Sequence, residues 1–181
     1  MPLDTTGYTD FRIDVGPDDV ETPQALELRV DPAMNAGADI LCFYSGIFRF
    51  AAKGTSEDKW ERGSLFARVP TGGRNWSNPS MYRGPGWTVF RGGTVTLSLA
   101  SIYNAGSANY AGWAVDAAQI EAKSAVGIGV EDHLEIQAHL AVRDEDGVLY
   151  RVSYQVTALG DYVPPRGFGL SPEGIGTRSE N

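Results

Sequence analysis

The residue types best suited to recognition are concentrated in one stretch, residues 74–87. It contains two Trp, one Tyr, one Met, two Arg and two Asn. Trp, Tyr and Arg most often dominate the binding energy of interfaces, and loops carried on a rigid sheet are common binding sites. The candidate binding residues, for a partner protein or a glycan, are therefore Arg74, Asn75, Trp76, Tyr82, Arg83 and Trp87. The alternative is a structural loop whose aromatic side chains close one end of the fold.

Histidine and cysteine offer little further chemistry. His133 and His139 share one face of a predicted strand, but six residues at about 3.3 Å each place them roughly 20 Å apart, too far to share a metal ion. His133 and Glu135 are close enough to cooperate, but the pattern supplies no third ligand. Cys42 lies in the most apolar segment, where a cysteine usually behaves as a small hydrophobic residue. We therefore predict no metal, no cofactor and no catalytic nucleophile.

Asp116 is the carboxylate with two contrasting interpretations. It interrupts the apolar run WAVDAA, so it either points outward between alanines, which the pattern favours, or is buried. Buried inside a small β-barrel, it would act as the acid or base of a cyclase or isomerase, or anchor the ligand of a carrier for hydrophobic molecules. This is the alternative to a non-enzymatic binding or assembly module.

Composition narrows the classes of partner. The 181 residues carry a net charge of −8 with a pI of about 4.7. Nucleic-acid binders need basic patches, so neither nucleic acid nor an anionic membrane is expected as a partner. One cysteine excludes an internal disulfide. The first residues lack the basic and apolar regions of a secretory signal, which predicts a cytoplasmic protein.

The clearest structural pattern lies in residues 133–159. Leu134, Ile136, Ala138, Leu140 and Val142 alternate with polar residues, and so do Val148, Tyr150, Val152, Tyr154 and Val156. Alternation gives each strand one apolar face. We predict a β-hairpin with a three-residue loop at positions 145–147, because that register pairs Val142 with Tyr150 and keeps both apolar sets on one face. The polar set, with Gln137 and His139, would then face solvent.

The remaining pattern predicts the fold class. Nine or ten short strands with Gly and Pro turns are typical of an antiparallel β-sandwich, here jelly-roll-like, with a closed small β-barrel as the alternative. Residues 40–52 are apolar on both faces and predict a central strand, with a bulge or bend at Gly46. Separate strands are predicted at 87–90, 94–102 and 125–130. We expect one all-β domain over 1–160 and a flexible tail or self-association arm over 161–181.

Overall fold

A computed structural model describes residues 3–16, 19–30, 39–69, 86–104, 111–123, 133–144 and 148–163. Within these ranges the chain forms eight strands. They are β1 (Phe11–Val15), β2 (Val20–Val30), β3 (Asp39–Phe50), β4 (Glu61–Val69), β5 (Gly86–Asn104), β6 (Gly112–Lys123), β7 (His133–Arg143) and β8 (Val148–Val163). The strand predicted at 125–130 lies outside the described residues.

The eight strands form two four-stranded sheets. Sheet A has the order β1-β4-β7-β6, and sheet B has the order β2-β3-β8-β5. The pairs are antiparallel except β1–β4, which is parallel. The sheets are not closed into a barrel, so the predicted β-sandwich is confirmed and the barrel alternative is wrong. The described part of the chain has no helix long and apolar enough to cross a membrane.

The predicted hairpin between β7 and β8 is wrong. β7 lies between β4 and β6 in sheet A, and β8 lies between β3 and β5 in sheet B. Both hydrogen-bonding edges of each strand are thus occupied by other strands, which leaves no edge for a β7–β8 pair. Positions 145–147 lie outside the described residues; β7 ends in sheet A and β8 begins in sheet B.

The predicted apolar faces of β7 and β8 are nevertheless correct. Their alternating residues are all buried, and they face each other across the sandwich as two halves of one core. β3 adds aromatic side chains: the Phe48 ring stacks on Tyr154 at 4.4 Å between centroids, and Phe50 lies 5.5 Å from Tyr150. The alternating apolar residues of β1 and β4 complete the core from sheet A, namely Phe11, Ile13, Val15, Leu65, Ala67 and Val69.

β3 is a central strand of sheet B, as predicted, but the expected irregularity is on its neighbour. β3 pairs with β8 without a shift in register through Gly46. The bulge is on β2, where Glu21 pairs with Ile47 and Gln24 with Ser45, so that Thr22 and Pro23 lie opposite Gly46. Two residues against one is the signature of a β-bulge. Thr22 has a φ of 47°, a conformation that β-branched residues rarely adopt.

β5 and β8 are both longer than predicted. The segments 87–90 and 94–102 belong to one strand, β5, which stays continuous through three shifts in register against β8. Gly92 lies at one of these shifts with a φ of 145°, which requires glycine. β8 continues to Val163, so the first three residues of the predicted tail pair with β5. The rest of that tail lies outside the described residues.

Candidate functional site

The predicted binding residues fall mostly outside the described part of the chain. Residues 70–85 are not described, and they include Arg74, Asn75, Trp76, Tyr82 and Arg83. The backbone of Trp87 belongs to β5, where it pairs with Tyr162. The segment that joins β4 to β5 therefore ends at position 85, two residues earlier than the predicted loop.

The strand ends show where this segment attaches. Val69, the last residue of β4, pairs with Leu134 near the start of β7, while Gly86 pairs with Val163 at the end of β8. The end of β2 and the start of β3 meet at the same level, because Asp39 pairs with both neighbours there. Segments 31–38, 70–85, 124–132 and 164–181 thus all attach to one end of the sandwich, called here the distal end.

Apolar side chains are exposed on the outer face of sheet B, near the distal end. Leu26 is 56% exposed, Leu28 47% and Phe43 37%. The register sets Leu26 beside Phe43, and Leu28 beside Leu41, which neighbours Leu159 on β8. These five residues, called here the leucine patch, form one apolar area at the edge of the sheet. Contiguous exposed apolar area is typical of an interaction surface.

Sequence reasoning identified the β2 alternation but not its exposure. Leu26 and Leu28 alternate with Glu27 and Arg29, which shows that β2 has one apolar face. Alternation cannot show whether that face meets the core or solvent. The pairing with β3 decides it, because buried Cys42 and Tyr44 alternate with Leu41 and Phe43.

The same face becomes polar and then charged with distance from the leucine patch. Gln24, Ser45 and Gln155 form the next row across β2, β3 and β8.

Two arginines lie at the far side of this face. Arg49 and Arg151 are directly opposite in the register, which would be unfavourable alone. Glu21 bridges them: its Oε1 lies 3.2 Å from Arg49 Nε, and its Oε2 accepts a hydrogen bond from Arg151 Nε at 3.1 Å. On the side toward these arginines, the leucine patch is therefore bordered by uncharged side chains before the ion pairs are reached.

The outer face of sheet A is covered by the N-terminal segment, residues 3–10. The Tyr8 ring stacks on His139 with 3.9 Å between centroids, and Ser64 Oγ donates a hydrogen bond to the Tyr8 carbonyl at 3.0 Å. His139 is consequently only 8% exposed, and among the described residues its Nε2 has no hydrogen-bond partner. The prediction that His139 faces solvent is wrong, because this segment lies over it.

Gln137 is also buried on this face, contrary to the prediction. Its Nε2 donates to Glu135 Oε1 at 2.9 Å and to Glu121 Oε2 at 3.1 Å. Its Oε1 accepts from Gln119 Nε2 at 3.1 Å and from the Leu3 backbone amide at 3.3 Å. A buried amide with both ends satisfied anchors the N-terminal segment.

Asp116 points outward, as the pattern favoured. It is exposed at a bulge of β6, where the register shifts between Val115 and Ala117. The Tyr8 hydroxyl donates to its Oδ2 at 2.8 Å, and this hydrogen bond raises the pKa of Tyr8. The alternative role of Asp116 as a buried acid in a barrel is wrong, since the carboxylate lies on the outer surface.

A buried carboxylate does occur at the opposite end of the sandwich. Asp144, 1% exposed, accepts hydrogen bonds from Tyr150 and Thr55. Burial, followed by the bond to Asp144, raises the pKa of the Tyr150 phenol well above its ordinary value. The phenol therefore stays protonated as a donor. Its hydrogen bond joins the residue after β7 to the start of β8. Sequence reasoning placed the loop at positions 145–147 and gave Asp144, just before it, no role, so it missed this pair.

The described residues offer no group of three or more His, Cys, Asp or Glu side chains that could hold a metal ion. Cys42 is fully buried in the core, as predicted. Compared with protein-family models, curated proteins and solved structures, the chain matches none of them.

Proposed function

We propose that the protein is a non-enzymatic assembly module that associates with a second copy of itself through the β2 side of sheet B. The observation that carries the proposal is the exposure of Leu26 and Leu28 on an edge strand, 56% and 47% respectively. Edge strands expose unpaired backbone groups that invite another strand. Apolar side chains beside that edge add a favourable burial term.

The charge of the chain favours this surface for self-association. Two copies that each carry a net charge of −8 repel one another. The leucine patch and the neighbouring row of Gln24, Ser45 and Gln155 are uncharged. Over these rows a second copy can approach without bringing like charges into contact, whereas the next row toward the distal end sets Asp39 opposite Asp161.

The segment 74–87 belongs to the same proposal as a second contact element. It attaches to the distal end, where β2 also ends, although β5 and β2 are opposite edges of sheet B. Trp76 and Tyr82 would extend the apolar contact beyond the sheet, as aromatic residues commonly do at interfaces. If the partner is instead another protein or a glycan, it would bind the same segment. Sedimentation of the protein alone distinguishes this case from self-association, because only self-association forms larger species without an added partner.

Sedimentation velocity over a concentration series tests the proposal. We expect the wild-type protein to form dimers or larger species, and the Leu26→Asp/Leu28→Asp variant to stay monomeric with an unchanged melting temperature, since both side chains are exposed. Tyr103→Asp is the matched control: Tyr103 is 61% exposed but lies away from the distal end, opposite Leu149. A wild-type protein that remains monomeric up to about 1 mM, the range of the weakest specific complexes, would refute self-association.

A further inference from the structure

The geometry points to one mode of self-association: β2 pairs antiparallel with β2 of the second copy about a two-fold axis at Leu28, extending sheet B from four strands to eight. This inference rests on the proposed assembly function and specifies its interface.

The second half of β2 is a regular edge. From Gln24 to Val30 it pairs with β3 in unbroken register, Gln24 with Ser45 through Val30 with Asp39. No other strand of the described chain lies on its opposite side. Natural edge strands are commonly protected by Pro, Lys, bulges or charged residues on the core-side face. Positions 27 and 29, which pair with Cys42 and Ile40, carry one charge of each sign, so a two-fold pair can match them. In β2 the bulge at Thr22 and Pro23 comes before this stretch, and residues 24–30 contain neither Pro nor Lys.

The other edge strands are less suited to pairing with another copy. β1 has only five residues. β5 and β6 contact each other where the edges of the two sheets adjoin, and both carry shifts in register. β2 is therefore the edge that remains for a strand from a second molecule.

The residue types select the register. In an antiparallel two-fold pair, opposite residues share a face, so the axis passes through one residue that meets its own copy. An axis at Leu28 sets Leu28 against Leu28, and position 26 against position 30, which is valine. It also sets position 27, glutamate, against position 29, arginine, twice by symmetry.

Registers with the two-fold axis at position 27 or 26 oppose less favourable residue types than the axis at Leu28. An axis at position 27 would oppose two glutamates, and directly opposite like charges destabilise a sheet. An axis at Leu26 would oppose Gln24 to Leu28 and set neither glutamate 27 nor arginine 29 against an opposite charge, since they would face Ala25 and Pro23. The Leu28 axis alone among these three opposes apolar with apolar and acidic with basic positions.

A disulfide cross-link tests this register in the full-length protein. Directly opposite Cα atoms are about 4.5–5.5 Å apart, within the range that a disulfide can bridge. We expect Leu28→Cys to form a covalent dimer under mild oxidation. Gln24→Cys is the matched control, because its symmetry copy would lie eight positions away, about 27 Å along the strand. The native Cys42 is fully buried and does not compete.

Charge exchange provides the second test. Glu27→Arg should weaken dimerisation by about tenfold or more, because each symmetric pair then opposes two cations. Arg29→Glu should do the same, and Glu27→Arg/Arg29→Glu should restore the wild-type dissociation constant. Melting temperatures of the monomers check that the variants fold.

The outcomes separate the two proposals. Monomeric wild-type protein overturns the assembly function and this interface with it. A wild-type dimer that is lost in Leu26→Asp/Leu28→Asp, but that gives no Leu28→Cys cross-link or no rescue by charge exchange, overturns the edge interface alone. Loss of that dimer with Phe43→Asp, without the cross-link, would assign the contact to the outer face instead.

Discussion

The ring of Tyr154 fills the space beside Gly46, the residue directly opposite it on β3. A Cβ at Gly46 would lie 2.7 Å from the Tyr154 hydroxyl oxygen and 2.8 Å from a ring carbon. The glycine therefore lets a large aromatic side chain pack against the backbone at the point where β2 bulges. In this position beside Gly46, the Tyr154 ring also stacks on Phe48 in the core.

This contact predicts that Gly46→Ala destabilises the protein. The added methyl forces the buried Tyr154 ring to shift, and overpacking of this kind typically costs about 1–3 kcal/mol. Urea denaturation of the wild type and the variant measures the change in unfolding free energy. An alanine variant as stable as the wild type would show that Tyr154 does not pack in this space.

Removal of the hydroxyl group should change the unfolding free energy differently at two buried tyrosines. The Tyr150 hydroxyl donates to buried Asp144, so Tyr150→Phe should lower the unfolding free energy by about 1–3 kcal/mol. The Tyr154 hydroxyl is buried without a partner among the described residues, so Tyr154→Phe should leave stability unchanged or higher. Thermal unfolding of both variants side by side compares them. Equal losses would contradict the difference in hydrogen bonding.

The alternation of apolar residues predicted the buried faces of β7 and β8 but not their partners. Val142 and Tyr150 are both buried as expected, yet they lie in different sheets. In a two-layer fold, two consecutive apolar faces can meet side by side or across the core, and alternation is the same in both. Only the occupation of each strand edge by other strands separates the two cases.

The wrong prediction for the polar face of β7 has a different cause. His139 and Gln137 occupy polar positions of β7 and are buried because residues 3–10 lie over them. Nothing in the local alternation of β7 reports on a segment more than a hundred residues earlier in the chain. The uncharged character of Gln137, His139 and Ala141 was the available signal, since a strand face open to water more often carries charge.

The hydrogen bond between Tyr8 and Asp116 predicts a shift in titration. Asp116 raises the pKa of Tyr8 chiefly through this bond, so Asp116→Asn should lower that pKa toward the ordinary value of a tyrosine. Ultraviolet absorbance at alkaline pH follows the ionisation, and Tyr8→Phe identifies which transition belongs to Tyr8. Because Asp116 is exposed, the melting temperature should not change. An unaltered Tyr8 transition in Asp116→Asn would contradict the contact.

The contribution of residues 74–87 is tested separately from that of the sheet. If this segment adds to the interface, Trp76→Ala/Tyr82→Ala should weaken self-association several-fold while the melting temperature stays near that of the wild type. Sedimentation equilibrium gives the dissociation constant. A large fall in melting temperature would instead favour the structural interpretation, in which the aromatic side chains close the distal end.

Hydrogen–deuterium exchange of residues 24–30, measured below and above the concentration at which dimers form, reports directly on pairing between two β2 strands. An edge strand leaves half of its amides open to water, and pairing with a second copy protects them. Pairing of β2 with a second copy predicts slower exchange in this segment at high concentration, with β1 unchanged. Dimers that form without added protection of residues 24–30 would contradict it.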